Sequence, residues 1–371
     1  MAITTEIFTQ SPLMLENGKP VDWYVNEQVE KGVWRIQLIP AEIVGLPRDI
    51  TIFRAARKTN FISQVWHGDA DTFCPPIWSD LAIGSGACGL GCRSCFLMLT
   101  HRVRRDPMRH LLYDNMNDFE QSVEKWLRDP KRRRVETLGI GIDRSDSLLY
   151  EGVMPYVRTL APIFANEKIN NKKIKMVLLT KTKNIHYLED IPEYMRKLVV
   201  VSFSLSPEGI ADLWEGKYPD TGERISPSIY TRLKAAVMAQ NMGFEVRVRL
   251  DPILTPTGWI VQYQELVEMV RKMGLNFSRW TLGTYREKNA QLDSWRKRWG
   301  LLPMEYEIDH NDLVKDGTHK HLNVEQRRRI YSTIMELIQE QFPKATVGLC
   351  KETHQIRREM NLCNSCCNCL I

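Results

Sequence analysis

Short apolar segments alternate with longer amphipathic segments along most of the chain. Segments typical of β-strands span residues 80–84, 135–143, 174–180, 198–204, 244–251 and 277–285. Helical spacing of apolar residues occurs between them at 119–127, 153–165, 228–242 and 262–273. This alternation indicates parallel strands joined by crossover helices. The pattern therefore predicts an α/β fold of about six units, as either a partial barrel or a doubly wound open sheet.

The alternation divides the 371 residues into three predicted regions. Residues 1–79 are aromatic-rich and carry no catalytic motif, so we interpret them as an N-terminal cap. Residues 80–300 hold the strand–helix units. Residues 301–371 are expected to form a C-terminal helical extension that ends in a Cys-rich segment. In either α/β fold, we expect the chemistry at the carboxyl ends of the parallel strands.

The composition is that of an ordinary globular protein, with 43% hydrophobic and 26% charged residues. No apolar run approaches the roughly 18 residues that span a bilayer. The N-terminus lacks a basic segment followed by an apolar one, so we expect a cytoplasmic protein without a membrane partner. Eight of the nine Cys lie in two clusters, with Cys74 alone, which in this compartment favours metal ligation over disulfides.

Positive residues come in runs, although the net charge is only +6. One run alone is typical of a solvated helix face. Several runs in one chain favour a polyanionic partner such as nucleic acid. The runs lie at residues 102–105, 131–134, 296–298 and 327–329.

The strand predicted at 244–251 has an apolar face and a charged face. The two faces are built by Val246, Val248 and Leu250 and by Arg247, Arg249 and Asp251. In a barrel the charged face lies in the lumen, where charges must be paired or bind a ligand. In an edge strand the same face lies in water. We favour the lumen, which makes Arg249 and Asp251 candidate catalytic residues.

The strongest chemical signal is the loop from Cys88 to Cys95, with a third cysteine at Cys92 in C-x3-C-x2-C spacing. Most cubane clusters use four Cys, so three thiolates leave one iron atom open. Gly89 and Gly91 are expected to allow a tight wrap and to leave backbone N–H groups for the cluster sulfides. A structural zinc ion needs a fourth ligand, and the remaining choices are His101 or the distant Cys74. We therefore favour a [4Fe-4S] cluster over zinc.

This loop, in a chain of β/α units, resembles the radical S-adenosylmethionine (SAM) superfamily. From about residue 80 onwards the chain resembles the spore photoproduct lyase family. The matching segments are 88–97, 145–148, 179–181, 202–204, 249–253 and 350–352, with Asn368 and Cys369 in the tail. The resemblance implies a partial (β/α)6 TIM-type barrel of radical SAM type. It also implies that SAM binds the open iron. One electron, supplied by a reductant such as flavodoxin or ferredoxin, then cleaves SAM to a 5′-deoxyadenosyl radical.

The resemblance also implies which residues contact SAM. They are Ser145 and Asp146 after the second strand, Lys181 after the third and Ser204 on the fourth. Phe96, where the lyases have Tyr, is assigned to the same site. The amino group of SAM needs a carboxylate or hydroxyl acceptor, and its carboxylate needs a cation. The alternatives are a helix N-cap for Asp146, a solvated loop position for Lys181 and a strand-end hydrogen bond for Ser204.

The chain departs from the lyase pattern in three places. Asp143 stands where the lyases carry a hydrogen-donating Cys, and Ser94 and Phe96 replace the aromatic residues on either side of Cys95. A carboxylate cannot return a hydrogen atom as a thiol does, so repair through the same residue is not expected. The substrate radical must recover its hydrogen from 5′-deoxyadenosine or another residue. Asp143 is then a candidate catalytic residue that orients a polar substituent on the base.

A second group of cysteines lies at the C-terminus. Five Cys within twenty residues predict a further metal site, either a second [4Fe-4S] cluster or zinc. The proposed ligands are Cys350, Cys363, Cys366 and Cys369, with Cys367 spare.

Three functions remain open at this stage. The first, implied by the resemblance, is an enzyme that rearranges, modifies or repairs a thymine-derived base in DNA, which must leave the stack to reach a buried radical. Tyr285 with Arg286, and Trp295 to Trp299, are candidates for stacking or phosphate contact. The second is a radical SAM enzyme that acts on a small molecule or peptide. The third is a non-enzymatic, Cys-rich zinc protein that binds nucleic acid.

Overall fold

The computed structural model describes residues 30–64, 72–73, 78–86, 88–95, 110–133, 136–142, 144–288, 313–316 and 319–362. The strands are β1 (Arg35–Ile39), β2 (Ile50–Ala55), β3 (Ile62–Gln64), β4 (Thr72–Phe73), β5 (Trp78–Leu81), β6 (Gly84–Gly86), β7 (His110–Tyr113), β8 (Thr137–Ile140), β9 (Lys175–Thr180), β10 (Val199–Ser204), β11 (Glu245–Ile253), β12 (Trp280–Thr284), β13 (Arg286–Lys288), β14 (Leu313–Asp316), β15 (His319–Leu322), β16 (Val347–Leu349) and β17 (Glu352–Thr353). The helices are α1 (Ala41–Val44), α2 (Met116–Arg128), α3 (Tyr156–Ala165), α4 (Glu193–Arg196), α5 (Glu208–Glu215), α6 (Ile229–Asn241), α7 (Trp259–Lys272), α8 (Val324–Gln341) and α9 (His354–Glu359), with a 3-10 helix at Asn184–Leu188.

The central sheet has eight strands in the order β16, β12, β11, β10, β9, β8, β5 and β3. All neighbours from β16 to β5 are parallel, and β3 is antiparallel to β5. The six strands predicted from the sequence are therefore confirmed as neighbours in one parallel sheet. The first of them ends at Leu81 rather than at residue 84, because residues 84–86 pair with β7 in a different sheet. A seventh parallel strand, β16, was not predicted.

Strand β11 lies inside the sheet, between β10 and β12. The edge-strand alternative for residues 244–251 is therefore wrong. The apolar side chains of β11, including Val246 and Val248, are buried in the main hydrophobic core. On the opposite face Arg247 is only 2% exposed, so the charges of this strand have to be balanced inside the protein.

The four predicted helices are present as α2, α3, α6 and α7, with ends that differ by a few residues. The side chain of Ser228 caps α6, because its Oγ accepts a 3.1 Å hydrogen bond from the N–H of Thr231. In the predicted C-terminal extension, α8 begins with a capping box formed by Asn323 and Gln326. This helix packs against α7, and the chain then returns to the sheet as β16.

Three smaller sheets accompany the central one, in the orders β1-β2-β7-β6, β13-β15-β14 and β17-β4. The sequence region 1–79 contributes β3 to the central sheet, and the region 301–371 contributes β16. The division into three regions stays a prediction. Across the described ranges, every helix is too short or too polar to cross a bilayer.

Candidate functional site

The three-Cys loop follows β6, and its own backbone hydrogen bonds close two tight turns within it. The N–H of Gly91 donates to the carbonyl of Cys88, and the N–H of Cys95 donates to that of Cys92, each at 3.1 Å. Gly91 has a φ of 71°, a conformation that favours glycine. Cys88 and Cys92 are buried, Cys95 is half-buried, and none of these three thiols forms a disulfide.

Gly89 lies against the hydroxyl of Tyr150. Its N–H donates a 3.1 Å hydrogen bond to the Tyr150 Oη, and a Cβ at this position would overlap that oxygen. The N–H of Gly91 is used within the loop, as described above. These two N–H groups are therefore used inside the protein, and the expectation that other backbone N–H groups of the loop face the cluster sulfides stays a prediction.

The loop thiols suit an iron–sulfur cluster. Burial raises the pKa of Cys92 to about 12 and that of Cys88 well above its usual value. Both are therefore protonated in the metal-free protein and must release protons when thiolate ligands form. Within the described part of the chain, no three His, Cys, Asp or Glu side chains converge as one metal ion requires. The thiolates of a cubane cluster bind different iron atoms, and three thiols from one short loop are compatible with that arrangement.

Asp146 is buried in the turn after β8, and both of its carboxylate oxygens accept internal hydrogen bonds. Oδ1 accepts from the N–H of Leu148 at 3.0 Å, the N–H of Leu149 at 3.1 Å and the hydroxyl of Thr180 at 2.8 Å. Oδ2 accepts from the N–H of Lys181 at 2.7 Å. Burial raises the pKa of Asp146. Asp146 therefore caps backbone N–H groups, as the N-cap alternative predicted, although it does so at the start of a turn rather than of a helix. Its direct contact with SAM stays a prediction.

Lys181, at the end of β9, pairs with Glu215, a residue that no sequence motif singled out. The Nζ of Lys181 lies 2.7 Å from Oε1 of Glu215, and the lysine side chain is 24% exposed. Burial alone would lower the pKa of Lys181, but Glu215 holds it above its usual value. Lys181 is therefore a partly buried, paired cation rather than a solvated loop residue.

Glu215 is itself held by the buried guanidinium of Arg232. Nη1 of Arg232 lies 3.1 Å from Oε1 of Glu215, and Nη2 contacts Oε2, which also accepts from the hydroxyl of Ser226. Burial would raise the pKa of Glu215, but Arg232 and Lys181 hold it well below its usual range. Nη1 of Arg232 also donates to the carbonyl of Ser204 at 3.0 Å. The cluster therefore connects the ends of β9 and β10.

Two predicted SAM-binding serines, one in the turn after β8 and one at the carboxyl end of β10, are half-buried. The N–H of Ser145 donates to the carbonyl of Gly141 at 2.7 Å. Ser204 is the last residue of β10 and is in register with Arg249 on β11. The backbone carbonyl of Ser204 accepts the bond from Arg232, which does not test the hydrogen bond expected of its hydroxyl. Contact of either hydroxyl with SAM stays a prediction.

Two of the predicted SAM-binding residues, Asp146 and Lys181, lie close to the three-Cys loop. The charge of Asp146 adds to the burial that raises the pKa of Cys88, and Lys181 opposes the burial that raises the pKa of Cys92. A third link is a 3.0 Å hydrogen bond from the N–H of Arg93, inside the loop, to the carbonyl of Glu215. The structure therefore brings the loop and the ends of β8, β9 and β10 together.

The candidate catalytic pair Arg249 and Asp251 belongs to a charge cluster with Arg286 and Cys350. Oδ2 of Asp251 lies 2.6 Å from Nη2 of Arg249 and 2.8 Å from Nη2 of Arg286. Sγ of Cys350 lies 3.1 Å and 3.5 Å from the same two nitrogens. Burial would raise the pKa of Asp251, but the two guanidinium groups hold it well below its usual range. The charges expected in the lumen are thus paired, and the catalytic assignment stays a prediction.

Two residues predicted to contact nucleic acid are buried and contact other side chains of the protein. Tyr285 is buried and packs edge to face on Trp214, with ring centroids 5.8 Å apart. Arg327 is buried and pairs with Glu352 at 2.5 Å. A buried ring cannot stack on a base, and a buried guanidinium cannot bind a phosphate at the surface. The expectation is therefore wrong for Tyr285 and for Arg327.

Several predicted residues lie outside the described residues. They are Cys74, Phe96, His101, Asp143, Trp295, Trp299, Cys363, Cys366, Cys367 and Cys369, together with the basic runs at 102–105 and 296–298. Their assignments stay predictions.

Comparison with known proteins gives matches at the level of structure. No family model and no curated protein matches the chain. Spore photoproduct lyase complexed with dinucleoside spore photoproduct has a TM-score of 0.63 and 17% identity, over 80% of this chain and 82% of that chain. A variant of that lyase with bound AdoMet and dinucleoside spore photoproduct has a TM-score of 0.63 and 17% identity, over 79% and 80%.

At this level of identity the likeness shows the fold. The chain has the fold of spore photoproduct lyase, and the predicted partial TIM-type barrel is confirmed at the level of fold. The fold expected from the sequence motifs therefore agrees with the fold found by comparison.

Proposed function

We propose that this chain is a radical SAM enzyme with a [4Fe-4S] cluster on Cys88, Cys92 and Cys95. The observation that carries the proposal is the position of this loop. The N–H of Arg93 in the loop bonds to the carbonyl of Glu215, and the side chain of Glu215 pairs with Lys181. The loop therefore lies beside the strand ends that bear Asp146 and Lys181, in a chain with the fold of spore photoproduct lyase. When bound, the cluster supplies the electron that cleaves SAM to methionine and a 5′-deoxyadenosyl radical. An external carrier such as flavodoxin or ferredoxin provides that electron.

The residues of the chain bind and orient SAM. The Lys181 ammonium is held in a partly buried position suited to the SAM carboxylate, because a charge-assisted hydrogen bond is stronger away from bulk water. Ser145 and Ser204 offer hydroxyl acceptors for its amino group.

The proposed substrate is a thymine-derived base in DNA that the enzyme rearranges or modifies. The similar structures are lyases with a bound dinucleoside spore photoproduct, and the net charge of +6 suits a polyanion. Asp143, at the position of the lyase hydrogen donor, favours an isomerisation in which 5′-deoxyadenosine returns the hydrogen atom and SAM is regenerated. The chain therefore is expected to differ from the lyases in reaction while sharing their class of substrate.

The test begins with anaerobic purification and analysis of iron, sulfide and zinc. The enzyme, reduced with dithionite, is then incubated with SAM and DNA that contains either thymine photoproducts or amino-acid-substituted thymine. Nucleosides are analysed by mass spectrometry. We expect conversion of the substituted thymine. Efficient repair of the photoproduct would contradict the proposed difference from the lyases, and failure to bind DNA at low salt would contradict the substrate class. A colourless protein with zinc only would instead support the non-enzymatic alternative.

A further inference from the structure

Glu215 connects three parts of the site that lie far apart in the sequence. Its Oε1 is 2.7 Å from the Lys181 ammonium and 3.1 Å from the Arg232 guanidinium. Its carbonyl accepts the N–H of Arg93, which lies between the second and third cluster cysteines. One residue therefore contacts the three-Cys loop, the end of β9 and the first turn of α6.

The location of Glu215 on its own helix is unfavourable. It is the last residue of α5, where the backbone carbonyls carry partial negative charge and a carboxylate is disfavoured. Its side chain is only 4% exposed. A buried carboxylate at this helix end is retained only because cations compensate it, so its role lies in those contacts rather than in the stability of α5.

Arg232 and Lys181 make different contributions to this cluster. The Arg232 side chain is 1% exposed and contacts both carboxylate oxygens, so this pair alone neutralises Glu215. Lys181 is an additional cation, 24% exposed, that shares Oε1 with Arg232. Ordering a flexible lysine costs conformational entropy, and the neutralisation of Glu215 does not require it. The contact instead fixes the direction of a partly accessible ammonium.

We propose that Glu215 is a positioning residue for SAM, which orients the ammonium of Lys181 relative to the three-Cys loop. The role rests on the proposed function, since it assumes that Lys181 binds the SAM carboxylate. The backbone bond to Arg93 and the side-chain contact to Lys181 come from the same residue. The loop and the lysine therefore keep a fixed separation, as a ligand that bridges cluster and cation needs.

The test measures SAM affinity of the cluster-loaded protein by anaerobic titration calorimetry, with iron content and melting temperature recorded for each variant. The variants are Glu215→Gln, Lys181→Met and the double substitution. Asp212→Asn is the matched control, because it removes the same charge from the same helix but pairs with Lys217 and Arg224. We expect Glu215→Gln to bind SAM about tenfold more weakly than wild type. Its iron content is expected to be unchanged, and Asp212→Asn to bind as wild type.

The double substitution separates positioning from a general structural effect. If Glu215 acts through Lys181, the double variant binds SAM no more weakly than Lys181→Met alone. The role is overturned if the double variant loses SAM affinity by the product of the two single losses. It is also overturned if Glu215→Gln binds SAM as tightly as wild type. If Glu215→Gln does not fold, Glu215→Asp keeps a negative charge in the cluster, while its shorter side chain draws the carboxylate back from Lys181 and Arg232. The same loss of affinity is then expected, and wild-type affinity overturns the role. If the wild-type protein itself does not bind SAM, both the role of Glu215 and the proposed function are overturned.

Discussion

The backbone N–H of Lys181 donates a 2.7 Å hydrogen bond to Oδ2 of Asp146. This bond joins the turn after β8 to the end of β9, while Oδ1 of the same carboxylate holds the N–H groups of Leu148 and Leu149. The buried side chain of Asp146 therefore fixes the backbone that carries two predicted SAM contacts, Ser145 and Lys181. Its replacement is expected to alter the shape of the site before it alters any direct contact with SAM.

Asp146→Ala is accordingly expected to destabilise the fold. It leaves several buried donors without an acceptor, which should lower the free energy of unfolding by roughly 2–4 kcal/mol. Urea denaturation monitored by circular dichroism measures the change. Asp190→Ala, at an exposed position, is the control and is expected to stay within about 0.5 kcal/mol of wild type. Wild-type stability of Asp146→Ala would contradict the bracing role.

Lys181→Ala is expected to weaken SAM binding without loss of the cluster. Removal of a charge-assisted contact costs about 1.5–3 kcal/mol, or roughly ten- to a hundredfold in affinity. Anaerobic titration with SAM and iron analysis separate the two effects. Lys183→Ala, two residues further along in an exposed position, serves as the control. Unchanged SAM affinity in Lys181→Ala would show that this lysine does not bind SAM.

The salt bridge of Glu245 is expected to make stability depend on pH. Burial would raise the pKa of Glu245, but Arg247 and Lys175, the latter at 2.6 Å, lower it to about 2. Because the folded-state pKa lies below the unfolded value of 4.5, the stabilisation is present above pH 4.5 and is lost as the pH falls toward 2.

Glu245→Gln should therefore lose roughly 2 kcal/mol of stability at pH 7 and less at pH 3.5. Urea denaturation of the metal-free protein at the two pH values measures the difference. Glu265→Gln, at an exposed position on α7, is the control. An equal loss at both pH values would show that the charge of Glu245 is not responsible.

The C-terminal cysteines are expected to hold their own metal. A chain that ends at Leu362 lacks Cys363, Cys366 and Cys369 but keeps Cys350 beside Arg249. Its iron or zinc content should fall, while the cluster on the three-Cys loop persists. Metal analysis and visible absorption of the truncated and full chains compare the two. Equal metal content would argue against a second site.

The sequence predicted those parts of the fold that repeat a strong local pattern. The six parallel strands and four helices each extend over enough residues to show their periodicity. Strand β16 has only three residues, too few to show a periodicity. The sequence predicts a first strand that extends to Gly84, but residues 84–86 pair with β7 in another sheet. Such pairing depends on distant residues, so no local pattern signals it.

Only part of the candidate site could be predicted from the sequence. The Cys spacing marks Cys88, and the resemblance to the lyase family marks Asp146 and Lys181, without any structure. Glu215 carries no such mark, because its importance arises from the approach of Arg232 and Lys181 in three dimensions. Tyr285 was misassigned for the related reason that its burial against Trp214 depends on a helix, α5, that the pattern did not reveal.

The central claim is that the three-Cys loop holds the cluster that cleaves SAM. The most direct measurement is the amount of 5′-deoxyadenosine formed from SAM and dithionite under anaerobic conditions. The wild-type chain is compared with the variant in which Cys88, Cys92 and Cys95 are all Ala. We expect formation by the wild type, and the triple variant should lack one [4Fe-4S] cluster and all reductive cleavage. Reductive cleavage of SAM that survives in the triple variant would contradict the account.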